Sequence, residues 1–137
     1  MVWYFMDYAQ LKPGYCFEPT RLHFGRDEVD TYIQAVEDDS PIYKQNNVVP
    51  SMTIAAFALR ELLSQLELLP GTVHAGQELS FNGPVSIGQT LTFDGTVAQN
   101  ATRGGWRFLA VDLSITDSEA TAMLSGRSMV MFPLEEH

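Results

Sequence analysis

The residues best equipped for acid–base work fall in one polar turn, Asp38-Asp39-Ser40-Pro41-Ile42-Tyr43. A carboxylate there can act as a base, whereas a phenol, with a pKa of about 10, stays protonated at neutral pH and is confined to hydrogen bonding a water or a carbonyl. The bland alternatives are equally visible. Asp before Ser-Pro is ordinary turn composition with an Asx hydrogen bond, and Tyr43 is also a residue that packs in a core with its hydroxyl satisfied. His74, on a strand pattern beside Gly76 and Gln77, is placed to reach a bound molecule or to serve structurally. No histidine or cysteine has a metal-ligand neighbour at useful spacing, so no metal site is expected. Cys16 has no local Cys or His to activate it as a nucleophile. Gly76 and Gly104-Gly105 lack the Lys-Ser/Thr and the strand-loop-helix context of a phosphate loop.

The turn leads into the most apolar run of the chain. Ile54, Ala58, Leu62, Leu66 and Leu69 recur at steps of three and four, with Ala55, Phe57, Leu59 and Leu63 beside them. This predicts a helix with a stripe wide enough to be wrapped by other structure. Ser51 after Pro50 is the expected cap, and Pro70-Gly71 the expected stop.

Upstream, Phe17 to Phe24 reads as an edge strand carrying Pro19. Asp27 precedes the stripe Val29, Tyr32, Ile33 and Val36, which predicts a short amphipathic helix. Downstream the period changes to two. Residues 73–81, 91–97, 107–115 and 122–132 alternate as four strands, separated by turn chemistry at Gly83-Pro84 through Gly88, Asn100 to Gly105 and Asp117 to Glu119. The fold class expected is α+β, with an antiparallel sheet curled around a central helix, the hotdog layout.

At 137 residues the chain is long enough for one domain with a proper core, and residues 1–137 are read as a single hotdog domain. Seventeen acidic against eight basic residues give a formal charge of −9. With no cluster of Lys or Arg, nucleic-acid binding is excluded as an expectation. The run from Met52 to Leu69 is interrupted by Arg60, Glu61, Gln65 and Glu67, so no membrane span is expected. A single cysteine and a start without a basic n-region or apolar core make the cytoplasm the default location.

Two segments carry a family resemblance. Asp38-Asp39-Ser40-Pro41-Ile42-Tyr43 resembles the Asp-x-Asn-Pro-Leu-His signature of MaoC-like, R-specific enoyl-thioester hydratases and dehydratases. Residues 73–81 with 83–91, Val-His-Ala-Gly-Gln-Glu-Leu-Ser-Phe and Gly-Pro-Val-Ser-Ile-Gly-Gln-Thr-Leu, are similar to the segment marking the N-terminal half of double-hotdog members, itself like the dehydratase region of type I fatty acid synthase. The resemblance implies an acyl thioester of coenzyme A or acyl carrier protein as substrate, no further cofactor, and a hotdog that pairs as a homodimer or heterodimer. It places the catalytic pair at Asp38 and Tyr43, with substrate contacts at Ser51, Met52, His74 and Gly76.

The chain departs from the family at two places. Tyr43 stands where the family has the catalytic histidine, and Pro50-Ser51-Met52 where it has a His-Gly. Three readings stay open: an acyl-binding half of a dimer with a degenerate pair, an active hydratase or dehydratase using Asp38, and an acyl-CoA thioesterase. Arg103, Arg107 and Arg127 are the cations best placed to meet a coenzyme A phosphate or an acidic carrier. Met123, Met129 and Met131 are expected to fill a pliable core or tunnel wall.

Overall fold

The period-two alternation of the C-terminal half builds a five-stranded antiparallel sheet, and the apolar run before it builds the helix that the sheet holds. A computed structural model describes residues 8–35, 47–66 and 71–134. Within them the elements are a 3-10 turn (Tyr8–Gln10), β1 (Thr20–His23), α1 (Arg26–Ala35), α2 (Ser51–Gln65), β2 (Val73–Phe81), β3 (Thr90–Arg103), β4 (Trp106–Thr116) and β5 (Ala122–Pro133). Strand order is β1-β3-β4-β5-β2. This is the expected α+β hotdog.

Alternation assigns the faces. Leu91, Phe93 and Val97 of β3, Leu109, Val111, Leu113 and Ile115 of β4, and Leu124, Val130 and Phe132 of β5 are all buried. They meet Ile54, Ala55, Ala58, Leu62 and Leu66, the buried side of α2. A buried aromatic such as Phe93 contributes about 1.5–3 kcal/mol by leaving water. Met129 and Met131 alternate with Val130 and therefore stand on the outer face, Met129 39% exposed. Of the expected core or tunnel wall, the core is corrected for these two, while Met123 does pack against the core's edge.

Several boundaries differ from the sequence pattern. The first strand shrinks to four residues with a single bridge upstream, Cys16 to Thr96, because Pro19 has no donor for a ladder. The expected break from Asn100 to Gly105 contracts to Gly104-Gly105, both at positive φ (59° and 82°), which lets β3 and β4 pair to the Arg103–Trp106 end. Asn100 stays in the ladder while its amide donates to the carbonyls of Tyr8 (2.7 Å) and Leu11 (2.9 Å). The central helix ends at Gln65, short of Leu69. Leu66 is extended (φ −99°, ψ 122°) and turns its side chain into the core, 2% exposed. Residues 67–70 lie outside the described residues, as does Val36.

Candidate active site

Two features set where a substrate can lie: the start of α2 and the gap between α2 and β2. The chain enters α2 through a bridge between Val48 and Ser86, reinforced by Val49 N–H to Val85 O at 2.7 Å and Ile87 N–H to Asn47 O at 2.9 Å. That fixes the helix start against the loop before β3. The expected Ser51 cap does not form. Pro50 occupies the N-cap position with no side-chain cap bond, and its carbonyl accepts from Thr53 N–H (2.9 Å) and Ile54 N–H (3.3 Å), so Ser51 is already the first helical residue. The N–H groups of Ser51 and Met52 have no partner among the described residues. Two free donors at the positive end of a helix dipole are suited to a carbonyl oxygen that gains negative charge.

Beside this helix start lies a groove of about 440 Å³. Tyr32 of α1, Met52, Ala55 and Leu59 of α2, and Leu79 and Phe81 of β2 form its walls, with Ala56 and Gln77 completing them. The groove exists because the side chains of α2 that face β2 include two alanines, and because β2 is the last strand of the sheet and stands off the helix. Met52 is 62% and Phe81 37% exposed, so apolar surface remains open to a ligand. The polar groups on its walls are the Tyr32 phenol and the Gln77 amide, a lining typical of a site that takes an apolar body.

The expected site residues separate into three groups. Asp38 and Tyr43 lie outside the described residues. Ser51 and Met52 are brought together at the helix start, and Met52 reaches the groove. His74 and Gly76 are on β2, but the walls take Gln77, Leu79 and Phe81 from that strand instead. His74 Nε2 is 3.0 Å from the hydroxyl of Ser128, a β5 residue 1% exposed, next to the bulge between His74 and Gly76. The pair fastens the bulged end of β2 to β5 and satisfies a buried hydroxyl. A side chain added at Gly76 would meet nothing within 4 Å.

The cations expected to meet a phosphate are partly engaged. Arg107 donates to Asn100 Oδ1 at 2.6 Å, and Arg127 pairs with Asp112 at 2.8 Å on the outer face, where that carboxylate holds the guanidinium above its ordinary range. Among the described residues no group of three His, Cys, Asp or Glu is arranged to hold a metal ion, and no helix is long and apolar enough to cross a membrane.

Sequence reasoning missed Thr53. Its hydroxyl is fully buried in the first turn of α2 and has no hydrogen-bond partner among the described residues. It also missed Tyr32, Gln77, Leu79 and Phe81 as groove residues. The signal was present in Leu79 and Phe81, apolar alternation on a strand with no second layer to cover it.

A family model described as the dehydratase domain region of FAS1-like proteins matches residues 12–123. No curated protein sequence matches the chain. Solved structures share the fold at low identity. The R-hydratase PhaJ1 of Pseudomonas aeruginosa is 19% identical, with 93% of this chain and 86% of that one covered and a TM-score of 0.78. The (R)-hydratase of A. caviae involved in PHA biosynthesis is 22% identical over 92% and 98%, with a TM-score of 0.74. The HadBC (3R-hydroxyacyl-ACP dehydratase) complex of Mycobacterium tuberculosis is 17% identical over 89% and 97%, with a TM-score of 0.68.

Proposed function

The chain belongs to the FAS1-like dehydratase-region family, and from that premise we propose that it binds an acyl thioester as one half of a hotdog pair whose partner supplies the imidazole that Tyr43 replaces. The observation that carries this reading is the apolar groove opening beside the two free amides of α2. The thioester carbonyl would lie at Ser51 and Met52, with its acyl chain along Ala55 and Leu79. Coenzyme A or an acyl carrier protein is the thiol.

In such a pair, hydration delivers the hydroxyl of water to the carbon β to the thioester and a proton to the α carbon. Negative charge gathers on the thioester oxygen meanwhile, where free helix amides lower its energy. Asp38 is a carboxylate able to accept the proton that water loses. A phenol at position 43 is too weak a base to share that task, whereas an imidazole with a pKa of about 6.5 exchanges protons readily near neutrality. The likeness to the HadBC (3R-hydroxyacyl-ACP dehydratase) complex supports a second hotdog subunit as partner.

The retained Asp38 favours a second reading, in which the chain alone is an active hydratase or dehydratase. Purified protein with crotonyl-CoA separates the two. The expected result is binding without turnover alone, and turnover once a hotdog chain with an intact Asp and His is added. Turnover by the chain alone that Asp38→Asn abolishes would instead establish the active reading. Release of free thiol from acyl-CoA would point to a thioesterase.

A further inference from the structure

The inner face of the sheet changes character along β2. Phe81 stands beside Leu124 and Leu79 beside Gly126, so the end of the strand nearest the loop before β3 is apolar. The next position on the same face pairs Gln77 with Ser128, and Ser128 in turn stands beside the fully buried Val111. A polar patch therefore interrupts an apolar face. His74, beyond the bulge, extends it through its ring nitrogen 3.0 Å from the Ser128 hydroxyl. Ser128 is 1% exposed, which makes the patch part of the sheet's core side and not an accident of its surface.

Gln77 is the member of this patch that lines the groove, and the Tyr32 phenol enters the same space from α1. Neither side chain has a hydrogen-bond partner among the described residues. A few convergent polar groups in an apolar site are what orients a ligand within it. The chemistry of these two decides what they can read. An amide and a phenol each donate and accept, and the groove walls hold no Lys, Arg or His among the described residues. A neutral oxygen satisfies them, whereas a carboxylate would enter without a counter-charge.

β2 runs out toward the loop whose Val85 carbonyl accepts from Val49 N–H at the entry to α2. Phe81 thus lies toward the helix start, and Gln77 stands about 13 Å further back along the strand. The hydroxyl that hydration places on the β carbon stays close to the thioester carbonyl and falls short of Gln77. Resting on the acyl-thioester reading above, we propose that the acyl group carries a second, neutral oxygen, a hydroxyl or keto group remote from the thioester, and that Gln77 and Tyr32 select for it.

Titration calorimetry of the full chain with butanoyl-, octanoyl-, 8-hydroxyoctanoyl- and 7-carboxyheptanoyl-CoA, on the wild type, Gln77→Leu and Tyr32→Phe, tests this. The hydroxyl of 8-hydroxyoctanoyl-CoA lies about 10 Å from its carbonyl, within reach of the Gln77 amide. The wild type should bind it about tenfold more tightly than octanoyl-CoA, the gain of a satisfied hydrogen bond. Gln77→Leu should reverse that preference and Tyr32→Phe reduce it about threefold, while butanoyl-CoA binds all three proteins alike. Tighter binding of octanoyl-CoA by the wild type, or a hydroxyl preference that survives Gln77→Leu, overturns the inference and leaves the proposed function standing. Tightest binding of 7-carboxyheptanoyl-CoA also overturns it, since the site would then read a charge. No binding of any acyl-CoA overturns the proposed function itself. If Gln77→Leu weakens every probe equally and shifts sedimentation from dimer to monomer, Gln77 is a subunit contact and the inference is wrong.

Discussion

The two flanks of α2 are built on different principles. On the β1 side the helix is tied down. Gln65 donates to Glu18 O (3.0 Å) and accepts from Glu18 N–H (3.1 Å), Thr20 donates to Glu61 at 2.8 Å, and Phe57 stacks on Phe24 at 5.1 Å between centroids. On the β2 side the helix offers alanines to a gap, and β2 is exposed along most of its length, Val73 47% and Phe81 37%. A flank that packs and hydrogen-bonds in this way holds the helix still. A flank that leaves apolar surface open is the kind of surface that ligand grooves and subunit contacts present.

The contrast can be broken most severely from the packed flank. Phe93→Ala should cost about 3–5 kcal/mol in urea unfolding, since Phe93 is fully buried and its loss leaves a cavity where sheet and helix meet. A cost near zero would mean that this layer is not close-packed. Thr53→Val tests the helix start between the flanks. It removes an unpaired buried hydroxyl without changing shape and should raise stability by about 1 kcal/mol, read from the unfolding midpoint. A loss of stability would reveal a partner for the hydroxyl. Phe81→Ser acts on the open flank and should change stability least, by under about 0.5 kcal/mol, as a partly exposed position does. Its acyl-CoA affinity should nevertheless fall about tenfold, measured by calorimetry, because the ring is a wall of the groove. An unaltered affinity would remove β2 from the site.

The fold was legible because it rests on periodicity. The alternation from Val73 to Phe132 and the stripe through Ile54, Ala58 and Leu62 each have one low-energy arrangement, with apolar faces opposed. Boundaries were less legible for local reasons. Leu69 continues the helical spacing, yet the helix stops where Leu66 gains more by turning extended into the core. Asn100 is turn-like by type, yet it stays in β3 because its side chain finds the carbonyls of Tyr8 and Leu11 across the fold. The site was half legible. Met52 was visible as a helix start, but the groove depends on a space between elements, which no spacing along a chain encodes. His74 was singled out by chemistry, and tertiary structure gave it to Ser128.

The strand order carries a consequence for how the chain acquires its structure. β3, β4 and β5 are joined by tight turns and can zip in succession with short loops to close. β2 is made before all three, yet it pairs only with β5, the last of them, Phe81 meeting Leu124 and Val73 meeting Met131. During synthesis β2 therefore waits unpaired until the final hairpin leaves the ribosome. The same Leu79 and Phe81 that later wall the groove are exposed throughout that interval, the stage at which a nascent hotdog is most open to capture by a chaperone or by a second hotdog chain.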